Sequence, residues 1–213
     1  MTTDTSPRPS TPPTPSRAIE IELLALDLNT CTRCVGSQAN LEDALAMTKH
    51  VLQVTGHDVL VRTILIESEE QALQYNFVTS PTIRINGRDI ALETMESPCD
   101  SCTDLCGCEG GTNCRVWRYQ GQEYTEAPVG MIVDALLREV YSEAPPLSAP
   151  SPVGEVSENL TRFFSGKAAK TAPVSSCCPA QEQVTCCAPA EKAACCGPSP
   201  STKATNVASC GCK

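Results

Sequence analysis

The chain has 213 residues and a formal net charge of −9, which is enough length for one domain of ordinary size with tails. Hydrophobic residues make up 41% and aromatic residues only 4%, so we expect a mainly aliphatic core. Between residues 18 and 165, 22 acidic side chains stand against 9 basic ones. This acidic body argues against a nucleic-acid partner, because phosphate recognition requires clustered positive charge.

The apolar pattern of the sequence predicts neither a membrane anchor nor an export signal. No stretch of about 18 apolar residues is present, and residues 1–17 lack the apolar region of a secretory signal peptide. We therefore expect a cytoplasmic protein with no membrane insertion. The 15 cysteines matter in that setting. In a reducing compartment a cysteine-rich chain favours metal binding or redox chemistry over a framework of structural disulfides.

The first predicted elements follow a Ser/Thr/Pro-rich segment, residues 1–17, which we expect to be disordered. Ile19–Leu28 alternates apolar residues as a strand does. Residues 32–54 carry apolar residues at helical spacing and predict an amphipathic helix. Val59–Ile66 is rich in branched residues and predicts a buried strand, and Glu67–Tyr75 predicts a short helix or turn.

Two hairpins and a helix are predicted next. Asn86-Gly87 lies between Thr82–Ile85 and Asp89–Leu92 and is a strong signal for a tight hairpin turn. Val116–Tyr124 predicts a second hairpin. Pro128–Tyr141 predicts a helix, with its proline near the first turn.

Together these elements describe one α/β domain over residues 18–141. Their order is β-α-β-α-β-β, a cysteine-rich insertion over about residues 95–115, and a final helix. Residues 142–166 are expected to form a Pro-rich linker in which Glu158–Phe164 predicts one short helix that docks Leu160, Phe163 and Phe164. We expect residues 167–213 to be a disordered tail.

Cys31-Thr32-Arg33-Cys34 lies where the first predicted strand ends and the long helix begins. A thiol at a helix N-terminus is favoured as the thiolate, which lowers its pKa, and Arg33 adds a positive neighbour. The pair is typical of redox chemistry. Buried cysteines or zinc ligands with the same spacing are the alternatives.

Thr79-Ser80-Pro81-Thr82 directly precedes the first hairpin. The order of these parts resembles that of the thioredoxin-like superfamily, which has a three-layer α/β sandwich. The order is a strand, the Cys-x-x-Cys, a helix, a strand, a helix, Ser-Pro-Thr, a hairpin and a helix. The domain is similar as a whole to a bacterial thioredoxin-like family with a cysteine-rich insert. The resemblance implies that Cys31 is the exposed nucleophile and Cys34 the resolving or second ligand thiol. It also implies that Pro81 is a cis-proline that faces them.

The insertion places five thiols within sixteen residues. Spacings this short let several sulfurs reach one centre, such as a zinc ion or an iron–sulfur cluster. Two structural disulfides with one spare thiol, or reduced thiols without a ligand, are the alternatives. Because the insertion follows the hairpin that starts at Pro81, we expect it near Cys31, where its thiols would exchange electrons or ligands with the pair. The candidate ligands are Cys99, Cys102, Cys106, Cys108 and Cys114.

The tail holds three adjacent cysteine pairs with a period of nine residues and a closing Cys-Gly-Cys. Adjacent Cα atoms, about 3.8 Å apart, are too close for an unstrained disulfide, whereas two neighbouring thiolates chelate a soft ion. The pattern is similar to the adjacent cysteine pairs near the end of arsenic metallochaperones of arsenical-resistance systems. A low-complexity tail with incidental cysteines is the alternative. The candidate ligands are Cys177, Cys178, Cys186, Cys187, Cys195, Cys196, Cys210 and Cys212.

Two functions from different classes fit these patterns. The repeated pairs favour the binding, sequestration or transfer of a thiophilic metal or metalloid in metal resistance, with a metal transporter or regulator as partner. The ion would be As(III), Hg(II), Cu(I) or Zn(II), because thiolates select soft ions. The alternative is a thiol–disulfide oxidoreductase or thiol-dependent reductase that uses Cys31 and Cys34, with a thiol redox protein as partner.

Overall fold

A computed structural model describes residues 17–141 and 154–171. The expectations for residues 1–16, for residues 142–153 and for the cysteine pairs of the tail lie outside these residues. Among the helices of the described residues, none is both long and apolar enough to cross a membrane.

The described residues form two sheets and five helices, which confirms the predicted α/β class. In chain order the elements are β1 (Arg17–Ala25), α1 (Thr32–Val54), β2 (His57–Leu65), α2 (Glu69–Gln74), β3 (Thr82–Ile85), β4 (Arg88–Asp89), β5 (Met95–Pro98), α3 (Asp100–Cys106), β6 (Asn113–Tyr119), β7 (Gln122–Tyr124), α4 (Val129–Tyr141) and α5 (Glu158–Thr171).

The larger sheet has four strands in the order β2-β1-β3-β4. β1 and β2 run parallel and are joined through α1, whereas β3 runs antiparallel to β1 and to β4. Ile19, Ile21 and Leu23 alternate along β1 and are buried in one core cluster with Leu41 of α1 and Ile132 of α4. The residues that alternate along β1 therefore pack against the residues at helical spacing on α1.

The turn at Asn86-Gly87 is present as predicted, with φ values of 48° and 77°. Both residues are of the types that tolerate this left-handed backbone. β4 is shorter than the predicted Asp89–Leu92, because the Asp89 carboxylate accepts the backbone N–H of Ala91 and turns the chain away. β1 likewise ends before the predicted Leu28.

The insertion has its own secondary structure. β5, β6 and β7 form a second, three-stranded antiparallel sheet, and α3 lies between β5 and β6. The predicted hairpin at Gly121 is confirmed, since β6 and β7 meet at Gln120 and Gly121, both with positive φ. One of the cysteine spacings of the insertion, Cys102 to Cys106, lies on a helical turn of α3.

The predicted short helix in the linker is present, but it is twice the expected length. α5 begins at Glu158 as predicted and continues past Phe164 to Thr171. The expectation that residues 167–171 are disordered is therefore wrong. Lys170 donates a hydrogen bond from Nζ to the carbonyl of Asp104 at 2.6 Å, which holds the last turn of α5 against the insertion.

An ion pair between a buried guanidinium and a partly exposed carboxylate joins the two sheets and gives a stability prediction. Arg115 of β6 is 1% exposed and donates two hydrogen bonds to the Asp89 carboxylate, at 2.8 and 2.6 Å. Asp89→Ala leaves a buried guanidinium without its anion, so we expect the free energy of unfolding to fall by about 3 kcal/mol in a denaturant titration. Glu123→Ala, which removes an exposed partner of Arg118, should change it by less than about 1 kcal/mol.

Candidate four-thiol site

Four buried cysteine sulfurs meet at one point between α1 and the insertion. Cys31 comes from the start of α1, and Cys99, Cys102 and Cys114 come from the insertion. Their Sγ atoms all lie within 4.8 Å of one another. The Sγ of Cys102 is 3.4 Å from that of Cys31 and 3.2 Å from that of Cys114. We call these residues the four-cysteine cluster, and an arrangement of this kind can hold a metal ion.

One carboxylate fixes the loop that leads into Cys31. The Oδ2 atom of Asp27 accepts hydrogen bonds from the backbone N–H groups of Asn29, Thr30 and Cys31 and from the Thr30 hydroxyl. Burial alone would raise the pKa of Asp27, but the hydrogen bonds from Thr30, Cys31 and Asn29 outweigh burial and lower that pKa. The loop delivers Cys31 to the N-cap of α1, where the helix dipole favours a thiolate.

The antiparallel ladder of the insertion brings its three cluster cysteines together. Ser97 of β5 lies opposite Cys114 of β6, so Cys99 and Cys114 lie at the same end of the ladder. The backbone N–H of Cys99 donates to the carbonyl of Thr112 at 2.8 Å and closes that end. Cys99 is also the N-cap of α3, and Cys102 follows within the first turn of this helix.

Arg33 ties the insertion to the first turn of α1. Its guanidinium donates to the carbonyl of Pro98 at 2.6 Å, to the Ser97 hydroxyl at 3.0 Å and to the carbonyl of Cys114 at 3.2 Å. A longer hydrogen bond of 3.4 Å reaches the carbonyl of Arg115. Because β5 and β6 are both bound by one side chain, Arg33 fixes the position of the insertion cysteines relative to Cys31.

The cluster sulfurs form a chain of hydrogen bonds that ends on Cys31. Hydrogen bonds from Cys102, Cys114, Cys34 and Cys99 lower the pKa of Cys31 far below its usual range. The hydrogen bonds that Cys102 and Cys114 make with Cys99 lower the pKa of Cys99 to about 7. The pKa of Cys114 is raised by its hydrogen bonds to Cys102, Cys31 and Cys99. For Cys102, the hydrogen bond from Cys114 acts to lower the pKa, but the bonds to Cys31 and Cys99 and burial raise it. Among the four, the hydrogen bonds thus favour the charged form of Cys31 and of Cys99 and disfavour that of Cys102 and Cys114.

Cys34 lies outside the four-cysteine cluster, next to the Ser-Pro-Thr segment. Its Sγ is 3.3 Å from the Ser80 hydroxyl, which also accepts the backbone N–H of Leu26. The hydrogen bond to Cys31, together with burial, raises the pKa of Cys34. The Ser80–Pro81 peptide bond is cis. The two cysteines of the motif thus have different surroundings, one among thiols and one against a hydroxyl.

The side chain of Cys31 is 0% exposed, whereas the resemblance to thioredoxin-like proteins implied an exposed nucleophile. It is buried in one core cluster with the cysteines of the insertion and with Leu160, Phe163 and Phe164 of α5. The insertion and α5 therefore cover the thiols together with core residues such as Leu26 and Phe77.

Polar contacts hold α5 on the insertion along its length. The Asn159 side chain accepts the backbone N–H of Asn113 and donates to its carbonyl, both at 2.9 Å. Arg162 donates to the carbonyl of Gly111 at 3.2 Å. A Cβ placed on Gly166 would lie 2.7 Å from the Sγ of Cys108, so the helix and the insertion pack closely at this point.

Cys106 and Cys108, which were also predicted as metal ligands, are joined to each other in a disulfide. They lie under α5, outside the four-cysteine cluster. The insertion thus combines two of the alternatives considered for it, one disulfide and one group of converging thiols. The eight cysteines predicted as ligands in the tail lie outside the described residues.

A model of the family described as "Domain of unknown function (DUF2703)" matches residues 18–136. The chain belongs to this family. The DUF2703 match includes all four cluster cysteines, Cys34 and the Ser-Pro-Thr segment, and it ends before α5. No curated protein and no solved structure matches the chain.

Two residues that position the site of this DUF2703 domain were not predicted from the sequence to do so. Asp27 has a signal in retrospect, because an Asp four residues before the cysteine, with Asn and Thr between, is typical of a loop held by its own carboxylate. Arg33 was noted only as a positive charge. Its two terminal nitrogens donate to backbone and hydroxyl oxygens of residues that come 64 or more positions later, and no local pattern encodes such contacts.

Removing the Arg33 guanidinium gives a second prediction. Arg33→Met leaves the carbonyls of Pro98 and Cys114 without their charged donor, so we expect the free energy of unfolding to fall by about 3 kcal/mol. Arg33→Lys should recover only part of this loss, because an ammonium cannot reproduce the planar fork. Arg118→Met, which removes an exposed guanidinium that pairs with surface carboxylates, is the matched control. Equal losses for Arg33→Met and Arg118→Met would contradict the assigned role.

Proposed function

We propose that this protein binds a thiophilic metal or metalloid ion through the thiolates of the four-cysteine cluster and holds it for sequestration or transfer. One observation carries the proposal. The sulfurs of three insertion cysteines and of Cys31, which comes from a distant part of the sequence, converge within 4.8 Å in a buried core. Burying a thiolate costs free energy unless it has a partner, and a shared soft cation stabilises four of them at once.

The spacing of the sulfurs fits an ion at the centre of the cluster. A tetrahedral zinc ion binds thiolate sulfur at about 2.3 Å, which separates the sulfurs by about 3.8 Å. The sulfur separations run from 3.2 Å to an upper limit of 4.8 Å and bracket that value. Cys31, Cys99, Cys102 and Cys114 would be the ligands, and Zn(II), Cu(I), As(III) and Hg(II) are the ions that such sulfur sets select.

The surroundings of the cluster suit an anionic site. Four thiolates around a divalent ion carry a net charge of −2. Cys31 and Cys99 are each the N-cap of a helix, so helix dipoles oppose that charge. The guanidinium of Arg33 binds the strands on either side of the cluster. An iron–sulfur cluster also takes four thiolates, and it is the alternative occupant.

We also infer that the four-stranded sheet with α1 and α4 is a thioredoxin-like core that carries the insertion. Three observations support this inference: the order β2-β1-β3-β4 with β1 and β2 parallel, the Cys-x-x-Cys at the start of α1, and the cis peptide bond before Pro81 next to Cys34. The same features favour the second candidate, a thiol–disulfide oxidoreductase. Its nucleophile would be Cys31, and the complete burial of that thiol is why we prefer ion binding.

The tail and its partners complete the proposal. The three adjacent pairs and the closing Cys-Gly-Cys would collect the ion and pass it to the domain, where the four-cysteine cluster would hold it. The protein would act in the cytoplasm, with a metal transporter or regulator as its partner in metal resistance. For the oxidoreductase, the partner would be a thiol redox protein.

The test uses the full chain with the eight tail cysteines changed to serine, so that only the domain can bind. The reduced protein is titrated without oxygen with Zn(II), Cu(I), As(III) and Hg(II), and its intact mass is measured under native conditions. We expect one equivalent of at least one ion to be retained against a competing chelator. Alkylation followed by peptide mapping should then show protection of the four cluster cysteines when that ion is present.

The same experiment can reject the proposal. Retention of no ion, or protection of a set of cysteines that excludes Cys102 and Cys114, would contradict it. Disulfide-reductase turnover that is lost in Cys31→Ser, together with no ion binding, would favour the oxidoreductase. Binding of iron with inorganic sulfide in place of the four ions tested would indicate the iron–sulfur alternative.

A further inference from the structure

The outer edge of β2 is an exposed strand edge. β2 is the first strand of the larger sheet and pairs only with β1 among the described residues. An unpaired edge offers a row of backbone donors and acceptors to another strand, and proteins usually protect such edges with charged side chains, proline, a bulge or a short strand. β2 has nine residues and no proline. Leu60, Val61 and Leu65 are 51%, 42% and 42% exposed.

Backbone hydrogen bonding shows which residues of β2 face outward. The N–H of Ile66 donates to the carbonyl of Ala25 in β1 at 2.9 Å. Backbone groups alternate along a strand in a parallel pair, so the even-numbered residues of β2 bond to β1. The odd-numbered residues, among them Val59 and Val61, therefore present their N–H and C=O groups at the free edge.

The charges on β2 match those of a second β2 in one antiparallel register. When Leu60 lies opposite Leu60 on a two-fold axis, Asp58 of one copy lies opposite Arg62 of the other, twice. On the other face of the strand, Val59 then lies opposite Val61, and these odd-numbered residues form the hydrogen-bonded pairs. If the axis is moved to Val61, Leu60 faces Arg62 instead, and if it is moved to Arg62, two guanidiniums meet.

We propose that β2 pairs antiparallel with β2 of a second copy of this chain, with the two-fold axis at Leu60. The paired segment runs from His57 to Thr63 in each copy and joins the two four-stranded sheets into one. Opposite charges and β-branched residues in directly opposed positions stabilise strand pairs. A half-open groove of about 390 Å³ lined by Val59 and Val61 and by Leu45 and Leu52 of α1 flanks the same edge, which extends the apolar surface that pairing covers.

The experiment is a measurement of oligomeric state on the reduced full chain. Sedimentation equilibrium over a range of concentrations, with excess reductant to prevent disulfides between copies, should show a 22.6 kDa chain in equilibrium with a dimer of twice that mass. Leu60→Lys places two ammonium groups on the axis and should raise the dimer dissociation constant at least tenfold. Leu92→Lys, at a side chain that is 95% exposed and distant from β2 in sequence, should leave it unchanged.

Charge exchange tests the register. Asp58→Arg alone and Arg62→Asp alone each oppose like charges twice, and each should raise the dissociation constant about tenfold. The double variant Asp58→Arg/Arg62→Asp restores both pairs and should restore the dimer. Arg62 also binds Glu20 and Glu22, so circular dichroism of each variant must show a folded chain.

Three outcomes would overturn the proposal. One is a wild-type chain that stays monomeric at every concentration, and another is a dimer that Leu60→Lys does not weaken. The third is a monomer that dimerises only when residues 1–16 are deleted, which would make that segment the occupant of the edge. The ion-binding site is not involved, so these outcomes are independent of the proposed function.

Discussion

Cys31→Ser should weaken ion binding about a hundredfold or more, whereas Cys34→Ser should change it less than about threefold. Thiolate sites bind zinc with about 10–16 kcal/mol in total, so one ligand of four contributes on the order of 3 kcal/mol, which is about two powers of ten in affinity. Cys31 belongs to the four-cysteine cluster, and Cys34 lies against the Ser80 hydroxyl outside it. The measurement is competition with a chromophoric chelator.

The pair of variants is informative because both cysteines belong to one Cys-x-x-Cys. In an oxidoreductase, loss of Cys34 would trap mixed disulfides and stop turnover, so both residues would matter. Cys102→Ser extends the comparison, since it removes a cluster sulfur that an oxidoreductase based on the motif alone would not need. Equal effects of Cys31→Ser and Cys34→Ser on ion affinity, with no effect of Cys102→Ser, would contradict the assignment of ligands.

The sequence predicted the elements of the domain well, because they depend on local patterns. The alternation of β1, the helical spacing of α1 and the Asn86-Gly87 turn each encode their structure within a few residues. The end of β1 was less predictable. It stops at Ala25 because the N–H of Leu26 donates to the Ser80 hydroxyl, and that contact spans 54 positions.

The cysteines of the site were predicted as candidate functional residues, but the set of four that lie together was not predicted. Cys31 was assigned to a redox pair and Cys99, Cys102 and Cys114 to a separate metal site, although we expected the two to be neighbours. Spacing alone cannot assign five insertion thiols to one centre. The ladder between β5 and β6 selects Cys99 and Cys114, and a turn of α3 adds Cys102. Long-range packing makes that choice.

For α5, the sequence predicted which residues are buried but not which part of the protein they pack against. Leu160, Phe163 and Phe164 were predicted to dock as one short helix, and they are buried. The sequence did not show what they would cover. The partner is the insertion, which precedes α5 by about 50 residues, and the Gly111 carbonyl and the Asn113 backbone that bind α5 carry no recognisable pattern.

Phe163→Ala should loosen the docking of α5 and raise the rate at which a reagent alkylates the cluster thiols. Phe163 is 0% exposed and packs in the same core as the cluster cysteines. Truncating a buried phenylalanine costs about 3–5 kcal/mol. If that loss falls mainly on the docking of α5, the rate of Cys102 alkylation in the ion-free, reduced protein should rise by a factor of about 100 or more. Alkylation is followed by peptide mapping over time.

Two further variants separate local opening from general unfolding. Asn159→Ala removes two hydrogen bonds to the backbone of Asn113 without making a cavity in the core, and should raise the alkylation rate about tenfold. Glu158→Gln alters only an exposed pair with Arg162 on the same helix and should leave the rate unchanged. If α5 covers the thiols, Cys102 becomes reactive in Asn159→Ala before Trp117 fluorescence reports unfolding of the core around α1 and α4. Simultaneous changes at both positions would mean that α5 opens only when the whole domain unfolds.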